Sequence, residues 1–405
     1  MVTQASICRG GDPNPWQSLS LCASSPIMAT VNAIRLGAMR LTTRAGLPPA
    51  LVADLVGEGE VSQDLQHVRH DLACIDVANM RGLEIGPLAA PRVRKDEGDV
   101  SYVDHTDAEG LRRKYATNPV LKDCLDQIVN IDCVIGDGLG IHEAVADQAP
   151  FDYVIASHLI EHIPDPITWL SDIASVLRPS GILSLVIPDK RFTFDMNRRT
   201  TEISELVDAY LRRLRRPSFK QAYDFISKEI TEMVDPAAVW AGTADFVGVV
   251  RSDVPDPDAA ALQLCRTMEN SDQYVDVHCS VFTPESFLNL HEKLARLGLI
   301  EFEVAHFVPT RRNQLEFHVS LRRTDATLDR HSVLELQLAS IHHARRSTTD
   351  SAREIISPAA APTTIEVSSR ERTLIAAKRQ IIHTMRRASA LFQGSLGWRA
   401  VTRTD

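Results

Sequence analysis

Nowhere in the 405 residues does an apolar run approach the roughly 18–20 residues that a membrane span needs. The amino-terminal stretch also lacks the charged-then-apolar layout of a secretory leader, so the expectation is a cytoplasmic protein with no stable membrane insertion. Cysteine is scarce: the seven residues Cys8, Cys22, Cys74, Cys124, Cys133, Cys265 and Cys279 include no C-x-x-C pair. An odd, scattered set does not fit a closed disulfide framework, and reduced, structural thiols are expected. Positive charge is in deficit, 44 Lys and Arg against 53 Asp and Glu, for a formal net charge of −9. Such a molecule is repelled by phosphate backbones, which argues against a nucleic-acid partner. What is present, 44% hydrophobic and 24% charged residues, suffices for one main domain with attachments.

Residues 1–28 are polar and aperiodic and are expected to be disordered, and helix-like patches dominate 29–79. A rhythm of short β-rich runs then begins at Gly82–Gly86, Val100–Asp104, Ile131–Ile135, Asp152–Ala156 and Ile182–Ile187. Between the fourth and fifth runs lies a helix opened by Asp165 as cap with Pro166 in its first turn, and closed by Pro179 and Gly181. Trp169, Ile173, Val176 and Leu177 form its apolar stripe. Short apolar strands separated by amphipathic helices predict a doubly wound α/β domain whose parallel sheet is covered on both faces, with its first part over 80–189.

The alternation stops over 190–278, a mainly helical insertion (Ile203 to Leu214, Gln221 to Val234), and resumes over 279–323. There Thr283-Pro284 opens a helix that Gly298 ends. Two further strands, Ile300–Val308 and Gln314–Leu321, are joined by only Pro309–Asn313, too short for a parallel crossover, so they must pair antiparallel. Residues 324–405 read as a helical patch, a Ser/Thr/Ala/Pro-rich linker from about Ser347, and a final amphipathic helix. In that helix Leu374, Ile381, Met385 and Phe392 stand among six bases (Arg370, Arg372, Lys378, Arg379, Arg386, Arg387) and one acid (Glu371). It suits packing on the core or pairing with a second copy, hence a homo-oligomer, better than lying on a membrane surface.

In a doubly wound sheet the ligand lies beyond the carboxyl ends of the strands, and residues at those ends carry the chemistry. Glu84 and Gly86 close the first run, and a glycine there lets backbone amides approach a ligand. Asp104 follows Gly86 by eighteen residues, close to the ~20-residue spacing at which an acid meets ribose hydroxyls. Gly136-Asp137-Gly138 ends the third run, where Asp137 is placed to accept from an adenine-sized ring's amino group. Ser157-His158 ends the fourth. Each residue also has a plain reading: capping carboxylates for Glu84 and Asp104, an ordinary turn for Asp137. His158 and His162, four apart, would share a helix face as metal ligands, but no third clustered ligand is evident in the sequence and no metal is expected.

In order from Gly82 to about Arg323, the chain resembles the class I S-adenosylmethionine-dependent methyltransferases, in particular their type 11-like domains. The resemblance rests on Leu83-Glu84-Ile85-Gly86-Pro87, Tyr102-Val103-Asp104, Gly136-Asp137, Phe151 through His162, and Val176-Leu177-Arg178-Pro179-Ser180-Gly181 before the fifth run. It implies a Rossmann-like seven-stranded sheet of five parallel strands and an antiparallel terminal hairpin, with S-adenosylmethionine as cofactor. Glu84 and Gly86 would then face the methionine part, Asp104 the ribose, Asp137 the adenine amino group, and Ser157 and His158 the cleft beside the sulfonium. The first loop departs from the family's usual Gly-x-Gly-x-Gly: Gly86 is followed by Pro87-Leu88-Ala89-Ala90-Pro91.

Methyl transfer needs chiefly in-line positioning, and a base only for a protonated acceptor. His158 ranks first on location, followed by Asp189 at the end of the fifth run and His278 where the insertion returns. Lys190 to Lys220 holds nine bases and four acids, net +5, either solvated helix faces or a greeting for an anionic acceptor such as a phosphorylated sugar. The Asn/Asp-Pro-Pro-Tyr motif used on nucleobase or glutamine amino groups is absent, which with the acidic balance favours a small-molecule or sugar-containing acceptor. The competing readings are a catalytically silent, partner-binding relative and an NAD-dependent oxidoreductase. The latter's G-x-G-x-x-G fails after Gly86.

Overall fold

The computed structural model describes residues 69–118, 121, 124–136, 140–230, 234–244, 256–271 and 274–356. The expected N-terminal disorder, most of the helical extension, Asp137 and the basic C-terminal helix lie outside the described residues.

Seven strands form one sheet: β1 (Gly82–Ile85), β2 (Val100–Asp104), β3 (Cys133–Val134), β4 (Phe151–Ser157), β5 (Leu177–Pro188), β6 (Phe302–Val308) and β7 (Glu316–Arg323). Their order is β3-β2-β1-β4-β5-β7-β6. The first five pair parallel, while β7 enters antiparallel between β5 and β6, so the parallel core closed by an antiparallel pair is as the short Pro309–Asn313 link requires. Sheet order reverses at β1 and β4, the crevice where such folds place ligands.

Alternation along β4 explains why the sheet is buried on both sides. Val154 and Ala156 join the larger core with Leu83, Ile85, Val103, Leu183 and Leu185. Tyr153 and Ile155 face the other way with Val100, Tyr102 and Ile182, covered by Leu72, Ile75 and Val77 of the amino-terminal segment. The larger core is roofed by α3 (Pro166–Val176) and α8 (Pro284–Leu297), after α1 (Ala108–Tyr115) and the short α2 (Ile141–Ala144). Asp165 caps α3 by accepting from the Thr168 amide, with Pro166 at the first turn where a missing N–H costs nothing. Thr283 caps α8, and Gly298 ends it at φ 74°, a left-handed conformation costly for other residues.

Two strand boundaries differ from expectation. β3 is an edge strand of two residues with Val134 45% exposed, shorter than the Ile131–Ile135 run. β5 begins at Leu177, and the Arg178–Gly181 turn is a bulge inside it: Phe151 pairs with Leu177 and Tyr153 already with Ile182.

The insertion contains α4 (Ile203–Arg212), α5 (Phe219–Lys228), α6 (Pro236–Trp240) and α7 (Pro257–Glu269). It has its own small core, in which Phe225 and Ile226 of α5 meet Leu264 and Met268 of α7, with Phe194 and Val277 from the two connections. α9 (Arg330–Ile356) packs Ile341 and Ala344 on the larger core and runs on into the stretch read as linker.

Candidate functional site at the carboxyl edge of the sheet

Strand register assembles the site. Ile85 pairs with Val103 on one side and Ala156 on the other. The next residues, Asp104, Gly86 and Ser157, therefore stand in a row at the carboxyl edge, about 4.8 Å from strand to strand. Ile135 donates its amide to the Asp104 carbonyl, which brings Gly136 beside that acid. Gly86 adopts φ +68°, and a Cβ placed on it would meet no atom within 4 Å. That open space above a left-handed glycine is where a ligand can lie against backbone, and it fits the methionine end of S-adenosylmethionine despite the missing second glycine.

Asp104 is 7% exposed, and its Oδ1 accepts from the His105 amide at 2.7 Å and faces His105 Nδ1 at 2.5 Å. Glu84 points into the loop after β1. Its Oε1 accepts from the Arg92 amide at 2.6 Å and its Oε2 from the Val93 amide at 3.1 Å. Burial pushes its pKa up to about 7, against the opposing pull of those two amides and the Arg92 charge. Glu84 thus fixes the loop that replaces the glycine-rich turn.

Two residues that sequence reasoning missed complete this edge. Arg92 is buried, donates to Ser157 Oγ at 2.7 Å, and pairs with Asp71 at 3.5 Å. Glu316 opens β7 and lies 2.7 Å from His158 Nε2. A signal for Glu316 existed: an antiparallel last strand must begin at the carboxyl end of its parallel neighbours, and Glu316 indeed pairs with Pro188. Nothing in the sequence singles out Arg92. Burial disfavours the Glu316 carboxylate, but the hydrogen bond and charge of His158, with Arg92 and His318, outweigh it and hold its pKa at about 2. His158 itself sits at φ 51°, its amide bonded to the Val186 carbonyl, so backbone and side chain are both fixed.

The other two base candidates are placed differently. Asp189 is fully buried, and its carboxylate accepts from Arg191 Nε, Nη2 and backbone amide and from Thr310 Oγ1 at 2.7 Å. Those donors occupy the lone pairs that a base would need. His278 lies over the turn after β4, where the amides of Cys279 and Ser280 donate to the Glu161 carbonyl. Its Nδ1 meets Asp195 Oδ2 at 2.5 Å, and its ring stands edge-on to His162 with centroids 4.5 Å apart.

Five of the nine bases in the basic stretch of the insertion make local ion pairs: Arg191 with Asp189, Arg198 with Asp195 and Asp224, Arg199 with Glu202 and Glu205, Arg212 with Asp208, Lys220 with Glu205. Among the described residues, no helix is long and apolar enough to cross a membrane.

A family model described as a methyltransferase domain matches residues 57–229. No curated protein matches the chain. Among solved structures, an S-adenosylmethionine-dependent methyltransferase from Mesorhizobium loti is 15% identical, over 61% of this chain and 92% of that one, with a TM-score of 0.30. A putative S-adenosylmethionine-dependent methyltransferase from Listeria monocytogenes is 13% identical over 63% and 97%, with a TM-score of 0.30. A third, from Methanosarcina mazei, is 14% identical over 64% and 99%, with a TM-score of 0.28. The chain thus carries a methyltransferase domain, matched over residues 57–229, that takes in the parallel strands β1 to β5.

Proposed function

We propose that this enzyme moves a methyl group to a small-molecule or glycan-type acceptor by in-line displacement, with the helical insertion over 190–278 as the acceptor's cap. S-adenosylmethionine supplies a methyl group already activated on a sulfonium, so the chain's task is to bind, align and, for a hydroxyl acceptor, hold a proton. Glu84 and Gly86 are assigned to the methionine end of the cofactor, Asp104 to the ribose hydroxyls, Gly136 and Asp137 to the adenine, and Ser157 and His158 to the cleft at the reacting centre.

The observation that carries this reading is the buried His158–Glu316 pair at 2.7 Å, one strand away from the open space at Gly86. A carboxylate behind an imidazole orients the ring and stabilises its protonated form, the arrangement a general base uses. The engaged carboxylate of Asp189 favours a supporting role for that residue.

Calorimetric titration with S-adenosylmethionine, S-adenosylhomocysteine and NAD, followed by a radiolabelled methyl-transfer screen of sugars and hydroxylated small molecules, tests the proposal. Micromolar binding of both sulfur ligands, none of NAD, and label in a low-molecular-weight acceptor is the expected outcome. Label appearing only in protein or nucleic acid would refute the acceptor class.

A further inference from the structure

One cluster of buried side chains has no part in the scheme above. Glu161 and His162 lie in the 3₁₀ turn that follows β4, and His278 lies where the insertion returns to the core. One ligand atom from each, a carboxylate oxygen and two imidazole nitrogens, fall within 4.8 Å of one another. The three residues are 1%, 7% and 4% exposed. Neither carboxylate oxygen of Glu161 has a hydrogen-bond partner, and His162 Nε2 is sealed from solvent without one. An unsatisfied buried carboxylate is among the costliest groups a fold can hold, so its presence calls for a counter-charge.

Protons alone leave that carboxylate without a hydrogen bond. His162 Nδ1 stands 2.9 Å from Asp276 Oδ1, at ion-pair distance though without hydrogen-bond alignment, and His278 Nδ1 stands 2.5 Å from Asp195 Oδ2. Arg198 already balances Asp195, so protonated imidazoles would offset Asp276 and Glu161 in charge, yet neither Glu161 oxygen receives a hydrogen bond from them. Outside the trio, His158 Nδ1 lies 3.7 Å from Oε1, beyond a hydrogen bond. Neutral imidazoles with their Nδ1 sides turned to carboxylates present Nε2 inward, which is how metal-binding histidines are held. The support behind them is itself anchored: Arg198 donates to Asp195 Oδ1 at 2.7 Å and to the His278 carbonyl at 2.9 Å.

We propose that Glu161, His162 and His278 form a three-ligand site for a divalent transition-metal ion. Two imidazole nitrogens and one carboxylate suit zinc or iron(II) rather than calcium or magnesium, which take oxygen-rich sets. Because two ligands precede the insertion and the third follows it, the ion staples the base of the insertion to the turn after β4. The site does not depend on which acceptor is methylated.

The test uses the full chain stripped with chelator, with zinc as the titrant and cobalt(II) as the spectroscopic probe. Wild type is expected to take up one zinc per chain, to melt several degrees higher with it, and to give cobalt d–d bands without a thiolate charge-transfer band. Glu161→Gln and His278→Gln should each abolish stoichiometric uptake, Asp195→Asn should weaken it roughly 10–100-fold, and the exposed-residue control His331→Gln should leave it unchanged. Uptake well below one equivalent in wild type, a thiolate band, or uptake that survives His278→Gln overturns the proposal. Should a variant melt too low to assay, the wild-type stoichiometry and cobalt spectrum decide by themselves. S-adenosylhomocysteine binding, measured on the same stripped protein, reports separately on the cofactor site.

Discussion

His158 and Glu316, 158 positions apart in the chain, meet with 2.7 Å between Nε2 and Oε2. The pairing exists because β7 runs against β5, so that its first residue arrives at the edge where β4 ends. If this pair holds the acceptor's proton, His158→Asn lowers kcat by roughly 10²–10⁴-fold with an acceptor hydroxyl. Glu316→Gln should lower kcat while leaving the cofactor Kd within about twofold, since a proton-handling defect appears in turnover and not in binding. Single-turnover methyl transfer and calorimetry on the same variants separate the two.

Asp104→Ala removes a carboxylate assigned to two ribose hydroxyls. Hydrogen bonds to a charged group contribute about 1.5–3 kcal/mol, so S-adenosylhomocysteine should bind at least about tenfold more weakly in calorimetry. An unchanged Kd would remove Asp104 from the cofactor site. Gly86→Ala is the companion variant: strain at φ +68° costs about 1–2 kcal/mol of stability, while the added methyl intrudes on the space assigned to the methionine end. A folded protein with weakened cofactor binding is the expected phenotype.

Glu84, with its pKa pushed up to about 7 by burial, is partly protonated near neutrality. A cofactor carrying a sulfonium and an ammonium beside it favours the ionised form, so binding should release a proton below about pH 7 and tighten as pH rises toward it. Calorimetry in buffers of different ionisation heat measures that release. Glu84→Gln should abolish it.

Acid should loosen the fold before carboxylates of ordinary pKa titrate. Burial pulls His291 down to about 4, with its hydrogen bond to the Phe302 carbonyl opposing only part of the effect, and burial pulls His318 down to about 4. Both are neutral when folded, whereas the unfolded chain takes up their protons below the ordinary 6.5. Their contribution is therefore complete above 6.5 and fades as pH falls toward 4, at about 1.4 kcal/mol per pH unit for each group. Denaturant midpoints at pH 7 and pH 5 check this, and His291→Leu should flatten the slope.

Local signals in the sequence were sufficient for most of the scaffold. Asp165-Pro166 and Thr283-Pro284 cap helices where such pairs should, and the runs ending in Asp104 and Ser157 are strands because alternation and β-branched residues leave little choice. What escaped depends on partners far along the chain. Glu316 becomes meaningful only once the β5–β7 register is known, and Asp195 only once the insertion has folded back onto His278. The metal-ligand spacing of His158 and His162 pointed to one helix face. The chain instead turns through a 3₁₀ segment there and brings His162 together with His278, 116 positions on. Asp189 is a different case, since its engagement by Arg191, two residues away, was open to a purely local reading.

The antiparallel entry of β7 also bears on how the chain is made. β5 carries Ile182, Leu183, Leu185, Val186 and Ile187, all buried in the finished sheet, and one of its two edges is covered only by β7. A ribosome adding about 5–20 residues per second needs roughly 7–27 seconds to pass from the end of β5 to the end of β7. Throughout that interval an apolar strand edge stands open, the kind of template on which nascent chains aggregate. A fragment ending anywhere within 190–315 would keep that edge permanently, so the contiguous stretch of parallel strands cannot be trimmed free as a minimal enzyme.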